Sequence, residues 1–106
     1  MIARIWHGWT TPENADAYEE LLKTKVFPSI KDKKIRGYRK ISLLKHTLEN
    51  EVEFITIMLF DDLDCVKHFV GNDYEKSYVP EDARKILNRY DKKSKHYEIL
   101  HELIYD

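Results

Sequence analysis

The stretch Phe54-Ile-Thr-Ile-Met-Leu-Phe60 most restricts the fold, because it is apolar at all but one position. Successive side chains of a β-strand point to opposite faces of the sheet. A strand that is apolar on both faces is therefore predicted to be an inner strand covered on both sides. A turn at Leu48-Glu49-Asn50 separates it from another strand-like run, Tyr38 to Thr47. Together the two runs predict a β-hairpin.

The N-terminal stretch, Met1 to Thr10, predicts a first strand and leads directly into a helix. Its Ile, Trp and Thr residues suit a pleated, half-buried surface. Thr11 is placed to cap the helix, with Pro12 in the first turn, where a missing N–H costs little. Pro28 is expected to end or bend this helix. Its buried stripe is predicted to contain Ala15, Tyr18, Leu22 and Val26.

Two further helices and a last strand follow the hairpin. Asp62 can cap a short helix that Gly71 closes, and Pro80 opens another helix that is predicted to extend to Tyr90. Lys95 to Ile104 is predicted to be the last strand. Short connections favour an α+β, ferredoxin-like, four-stranded antiparallel sheet in spatial order 4-1-3-2, with the helices on one face. The other face is left bare, and the simplest partner for it is a second copy of the chain.

Composition and charge restrict the function. The 106 residues predict a single domain, 1–106, and the formal net charge of -1 argues against a general nucleic-acid binder. The single cysteine, Cys65, excludes an intrachain disulfide framework. No signal peptide and no apolar run of ~20 residues is visible, so no membrane association and a cytoplasmic location are predicted. The basic stretch Lys31 to Lys40 could bind phosphate or nucleic acid, but a solvated loop is the favoured interpretation.

Several motifs resemble one known family, the antibiotic-biosynthesis-monooxygenase type of dimeric α+β barrel. They are Ile2-Ala-Arg-Ile-Trp-His-Gly8, the helix after Thr11-Pro12, Met58-Leu-Phe60-Asp61, Tyr78-Val-Pro-Glu-Asp82 and His96-Tyr97-Glu98. The resemblance covers nearly the whole chain, and these motifs specify the fold better than the activity. It implies a homodimer with a small-molecule pocket between sheet and helices.

In oxygenase members, the resemblance implies a pocket that activates a phenol, anthrone or quinol toward dioxygen without metal or flavin. Haem-degrading relatives would carry an Asn on the first strand, a Trp at the end of the third and a His on the helix beyond. This chain has His7, Phe60 and, approximately, Tyr78 at those positions. The pattern is broken at all three, so haem degradation is disfavoured.

Two histidines are candidates for catalysis. His7 is predicted to share a sheet face with Ala3, Ile5 and Trp9 and could act as a general base, because imidazole titrates near neutral pH. The alternative is a structural histidine bonded to a neighbouring carbonyl. His96, at the start of the last strand, could lie near His7 at one pocket mouth, but a position on the surface is the favoured interpretation. Arg4 and Trp6 are assigned to the bare face, where Arg4 would serve the dimer interface.

Six aromatic residues are candidates for ligand binding. One group could form an apolar box for a flat ring or could be ordinary core; it contains Trp6, Trp9, Phe60 and Phe69. Tyr74 and Tyr78, on the loop before the third predicted helix, could close over the ligand or simply fill space. The remaining histidines show no metal-binding spacing, so no metal is predicted.

Two functional hypotheses remain close at this point, with a third behind them. The first is a cofactor-independent monooxygenase-like enzyme acting on an aromatic or quinol-type compound, with no cofactor. The second is a non-catalytic module that binds a small aromatic or acidic metabolite in the same pocket. The third is a structural dimer without a ligand, in which Trp and Tyr side chains fill the pocket.

Overall fold

The computed structural model describes residues 1–105 and shows an α+β fold with an antiparallel sheet of five strands. The strands are β1 (Ile2–Thr10), β2 (Tyr38–Thr47), β3 (Val52–Phe60), β4 (Arg89–Tyr90) and β5 (Lys95–Glu98). The α-helices are α1 (Ala15–Leu21), α2 (Phe27–Asp32), α3 (Leu63–Val70) and α4 (Glu81–Ile86).

The order of the strands agrees with the prediction. β2 pairs with β3 and β3 with β1, while β4 and β5 both pair with the other edge of β1. β1 and β3 are therefore the inner strands. The two short strands β4 and β5 together occupy the position predicted for a single last strand.

The first helical segment is longer than predicted and runs without interruption from residue 12 to residue 32. A 3₁₀ turn (Pro12–Asn14) leads into α1, and a π-helical turn (Leu22–Val26) joins α1 to α2. Pro28 does not end the helix, because it directly follows the π-helical turn, where the regular hydrogen-bond pattern of the α-helix is already interrupted. Thr11 precedes the segment in an extended conformation, but its side chain makes no capping hydrogen bond, contrary to the prediction.

The predicted last strand, Lys95 to Ile104, is too long. β5 ends at Glu98, which is opposite Ile2, the first residue of β1, and the amide of Ile99 still donates to the carbonyl of Met1. Residues 100–105 extend past the end of β1 and have no strand to pair with. The predicted helical extension to Tyr90 is also wrong, because the edge of β1 near Gly8 pairs with Arg89 and Tyr90 as β4.

The helices cover one face of the sheet and leave the other uncovered. On β3, Val52, Phe54, Met58 and Phe60 are buried under the helices, whereas the alternate residues are only partly buried. The register then places Arg4 and Trp6 of β1 on the covered face, since Arg4 is opposite Met58 and Trp6 is opposite Thr56. The faces of β1 were therefore predicted the wrong way round. The helical side of the core contains Ala15, Tyr18, Leu22, Val26, Ile30, Cys65, Val66, Ala83 and Leu87.

The signals predicted around α3 are confirmed. The carboxylate of Asp62 accepts a hydrogen bond from the amide of Cys65 at 2.9 Å, and Gly71 ends the helix with a φ of 91°. Before β2, Gly37 turns the chain with a φ of 76°. A β-carbon at Gly37 would lie 2.3 Å from Sγ of Cys65, so only glycine fits there.

None of the helices within residues 1–105 is long and apolar enough to cross a lipid bilayer.

Candidate functional site

A cavity lies between the covered face of the sheet and the helices. Its volume is only about 40 Å³ in this conformation, so a ligand with an aromatic ring enters only when side chains of the wall move apart. Its walls are mainly apolar and come from nearly every element of the fold. The lining residues are Arg4, Trp6, Tyr18, Leu22, Phe27, Ile30, Ile41, Thr56, Met58, Phe69, Tyr78, Val79, Pro80, Ala83 and Ser94.

Arg4 supplies the only charge in this lining. It is 3% exposed, although it lies on an inner strand among apolar residues. Nη1 donates to the carbonyl of Tyr74 at 2.5 Å, and Nη2 donates to the carbonyl of Lys76 at 2.9 Å. The guanidinium carbon lies 5.8 Å from the centre of the Phe69 ring. Burial lowers the pKa of Arg4 to about 10, so the side chain keeps its charge at neutral pH.

His96 lies beside Arg4 on the same face. The two residues are directly opposite in the pairing of β1 with β5, and Nη1 of Arg4 lies 2.9 Å from Nε2 of His96. A guanidinium has only donors, so Nε2 accepts and the neutral ring carries its proton on Nδ1. Burial, and then the charge of Arg4, lower the pKa of His96 below its usual value. The imidazole is therefore neutral at pH 7 and lies beside Arg4, outside the residues that line the cavity.

Aromatic rings form much of the cavity wall. Nε1 of Trp6 donates to the carbonyl of Asp91 at 2.8 Å, which fixes the indole against the sheet. Phe69 and Tyr78 meet edge to face, with their ring centres 4.9 Å apart. Tyr18, which is 1% exposed, rises from α1, and burial raises the pKa of its phenol. Flat walls of this kind suit a flat ligand.

Three of the six aromatic residues predicted to bind a ligand line the cavity: Trp6, Phe69 and Tyr78. Phe60 lies behind it in the core, fully buried between Tyr38 and Phe69. The backbone carbonyl of Tyr74 binds Arg4, while its ring meets His96 at 5.3 Å outside the cavity.

Trp9 and His7 lie on the uncovered face, away from the cavity, where they form a separate cluster. Nδ1 of His7 is 2.8 Å from Oε2 of Glu53, and Nδ1 of His46 is 3.6 Å from Oε1 of the same carboxylate. The rings of His7 and Trp9 stack with their centres 6.0 Å apart, and Arg89 lies 3.9 Å above the Trp9 ring. The predicted meeting of His7 and His96 at one pocket mouth does not occur, because His7 of β1 and His96 of β5 point to opposite faces of the sheet.

Arg4 and Tyr18 are the cavity residues that sequence reasoning assigned elsewhere. Tyr18 was identified only as part of a buried stripe. Arg4 was assigned to the dimer interface, because the alternation along β1 was interpreted as placing it with Trp6 on the bare face. The available signal was the register: pairing Arg4 with Met58, rather than with a charged residue, points it toward the core.

The remaining residues considered in the sequence analysis, Cys65 and the basic stretch, are buried or take part in contacts that stabilise the fold. Cys65 is buried, and burial raises the pKa of its thiol, which makes it a poor nucleophile. In the basic stretch, Arg39 forms a bidentate pair with Asp61 and Arg36 contacts His68. Within residues 1–105 no cluster of His, Cys, Asp or Glu could hold a metal ion.

No protein-family model matches the sequence, and a search of curated proteins found no match. The geometry of the cavity is therefore the basis of the functional conclusion.

Proposed function

We propose that this chain binds a small, flat and mainly apolar molecule in the cavity between its sheet and helices. The observation that carries the proposal is an aromatic-walled cavity that contains one buried cation, Arg4. Ligand sites of proteins combine mostly apolar walls with a few polar groups that fix orientation. Ser94, which is 2% exposed, adds a hydroxyl to the same lining.

We further propose that two copies form a ferredoxin-like dimeric α+β barrel of the antibiotic-biosynthesis-monooxygenase type. The uncovered face supports this, because it presents Ile5, Ile55 and Ile57 from the inner strands, with Leu44 and Tyr97 at its two sides. Leu44 is 41% exposed and Tyr97 is 50% exposed. An apolar sheet face of this extent gains free energy when a second sheet covers it.

A second candidate function is catalysis on the bound molecule, as a cofactor-independent monooxygenase acting on a phenol, anthrone or quinol. One observation favours it: His96 contacts Arg4 of the cavity lining, and its Nε2 could take a proton from a ligand bound at Arg4 once the ligand displaces the hydrogen bond from Nη1. The base is then His96 rather than His7. We assign His7 to the dimer interface, because it lies on the uncovered face.

Native mass spectrometry of the freshly purified chain tests binding and assembly together. We expect twice the chain mass plus a small molecule in each protomer. A single-chain mass at all concentrations would contradict the barrel. Ile57→Asp should give the single-chain mass, because it places a charge in the proposed interface, whereas Asn72→Asp on an exposed loop should not.

Oxygen uptake separates the two candidate functions. A panel of quinols, phenols and anthrone is added to the protein, and oxygen consumption and ligand binding are followed in parallel. Turnover that is lost in His96→Gln but kept in His101→Gln supports the enzyme, because His101 is exposed and far from the cavity lining. Binding without oxygen uptake across the panel supports the non-catalytic module.

A further inference from the structure

Arg4 is the one charged side chain among residues 1–105 that is buried. Charged groups are almost never fully buried without a partner of opposite charge, because removing them from water is costly. None of the ion pairs formed within residues 1–105 includes Arg4. Its acceptors are two backbone carbonyls and a neutral imidazole. The positive charge in the cavity is therefore solvated by dipoles and is not neutralised.

The hydrogen bonds of Arg4 leave part of the guanidinium available. A guanidinium has five N–H donors. Nη1 uses both of its donors on Tyr74 and His96, and Nη2 uses one on Lys76. Nε–H and the second donor of Nη2 make no hydrogen bond to residues 1–105, and Nε and Nη2 form one edge of the guanidinium plane.

Elsewhere in the chain, the same edge of arginine holds carboxylates. Nε and Nη2 of Arg39 contact the two carboxylate oxygens of Asp61 at 2.8 and 2.5 Å. Nε and Nη2 of Arg89 contact those of Glu51, both at 3.0 Å. This two-point contact is the geometry that makes arginine a specific receptor for a planar carboxylate.

From these observations we infer that the ligand of the cavity is a flat, apolar carboxylic acid whose carboxylate binds the Nε edge of Arg4. The inference rests on the proposed function, since it names the substrate class of the same cavity. The ring of such a ligand packs against Trp6 and Phe69, which line the cavity together with Arg4. Its charge neutralises the buried guanidinium, and the surrounding low dielectric strengthens that contact.

A purely structural role for Arg4 predicts something different. Its contacts with the carbonyls of Tyr74 and Lys76 also fasten the loop before α4 to β1. An arginine with this role alone would not discriminate between a charged ligand and a neutral ligand of the same shape. The charge of the probe is therefore the variable to test.

The experiment uses two pairs of probes, benzoate with benzamide and 2-naphthoate with 2-naphthamide, titrated into the full chain at pH 7 by calorimetry. Within a pair, the ring is the same and only the carboxylate is replaced by a neutral amide. We expect the carboxylate to bind the wild-type chain about tenfold to a hundredfold more tightly than the amide. Arg4→Gln should abolish that preference and keep amide binding. Arg36→Gln, which removes an exposed positive charge, should keep the preference.

The outcomes separate the inference from the proposed function. Equal affinity for acid and amide in the wild-type chain would overturn the carboxylate inference and leave the pocket intact. No binding of any probe would overturn both. If Arg4→Gln does not fold, the wild-type comparison still decides, together with the NMR signal of the Arg4 Nε–H. That signal should shift with the carboxylate and stay in place with the amide; identical shifts with both probes would contradict the inference.

Discussion

Nδ1 of His7 lies 2.8 Å from Oε2 of Glu53, and this contact joins the two inner strands on the face that the helices leave uncovered. The carboxylate also faces His46, 3.6 Å away on β2. Three strands thus place polar side chains at one end of a face whose middle is apolar. In the proposed dimer these groups lose water, so their mutual hydrogen bonds would matter more than they do at an open surface.

His7→Ala should weaken the dimer and leave the cavity unchanged. Removing one partner of a desolvated pair leaves Glu53 without its hydrogen bond, and we expect the dissociation constant to rise about tenfold or more. Ligand affinity should stay within twofold of wild type, because His7 lies on the opposite face from the cavity. Sedimentation velocity and ligand titration measure the two effects. His68→Ala, at an exposed position on α3, is the control. A loss of ligand affinity in His7→Ala but not in His68→Ala would contradict the prediction and show that His7 takes part in ligand binding.

Phe60→Ala should reduce stability rather than act selectively on binding. Phe60 is fully buried and packs against Tyr38 and Phe69, with ring centres 5.4 and 6.1 Å away. Emptying such a position lowers the free energy of unfolding by about 3–5 kcal/mol. Urea denaturation measures the loss. Leu48→Ala, in the exposed hairpin turn, should change the free energy of unfolding by less than about 1 kcal/mol, and a similar loss in both variants would show that Phe60 is not a core residue.

His96 should make the fold less stable in mild acid. Burial and the neighbouring Arg4 lower the pKa of His96 in the folded state below the value of 6.5 for an unperturbed imidazole. Between those two pKa values the unfolded chain binds more protons, so stability rises with pH. The stabilising difference is complete above about pH 6.5 and is lost as the pH falls toward the folded pKa.

His96→Gln tests this pH dependence. The glutamine amide can still accept a hydrogen bond from Arg4 but cannot titrate. Urea denaturation between about pH 5 and pH 7.5 should give a shallower decline in acid than the wild-type chain shows. His101→Gln, on the exposed tail, should decline like wild type. Parallel curves for wild type and His96→Gln would mean that His96 titrates normally.

Gly37→Ala and Gly71→Ala should differ strongly in stability, although both glycines have positive φ. A β-carbon at Gly37 would lie 2.3 Å from Sγ of Cys65, whereas nothing lies within 4 Å of one at Gly71. Gly71 has φ 91° and ψ -172°, a combination that almost only glycine adopts, so Gly71→Ala should cost about 1–3 kcal/mol of conformational strain. Gly37→Ala should cost about 1–3 kcal/mol more through overpacking.

The double variant Gly37→Ala, Cys65→Ala identifies the source of that extra cost. It removes the thiol that a methyl group at position 37 would contact. Part of the lost stability should therefore be recovered, and the effects of the two substitutions should be non-additive. Strict additivity would show that the clash is relieved elsewhere.

Local signals in the sequence were sufficient for the positions of most elements and for the order of the strands. Asp62 and Gly71 bound α3 because capping chemistry is local, and Phe54 to Phe60 form an inner strand because both faces are apolar. The length of the last strand was not a local property. Leu100 to Ile104 is rich in apolar residues, as a strand often is, yet β1 begins at Ile2 and offers this stretch no partner.

The prediction of the candidate site failed because the two faces of β1 were assigned the wrong way round. One face carries Ile2, Arg4, Trp6 and Gly8, and the other carries Ala3, Ile5, His7 and Trp9, so each contains apolar and polar side chains. Hydropathy alone therefore cannot show which of the two faces packs against the helices. What decides is the pairing of Trp9 with Glu53 and of Arg4 with Met58, because Glu53 is excluded from the core and Met58 belongs to it. The candidate site changed with this assignment, from His7 to Arg4 and His96.

β1 is bonded on one side to β3 and on the other to β4 and β5, which come from the last fifth of the sequence. Of the five strands it is the first to be synthesised, yet one of its edges has no partner until β4 and β5 have followed. The hydrogen bonds of Arg4 also depend on distant parts of the chain, since its acceptors at Tyr74, Lys76 and His96 are 70 to 92 residues away in sequence. The proposed ligand site therefore requires that β5 has paired with β1, so we expect a chain that binds the proposed ligand to have a complete sheet.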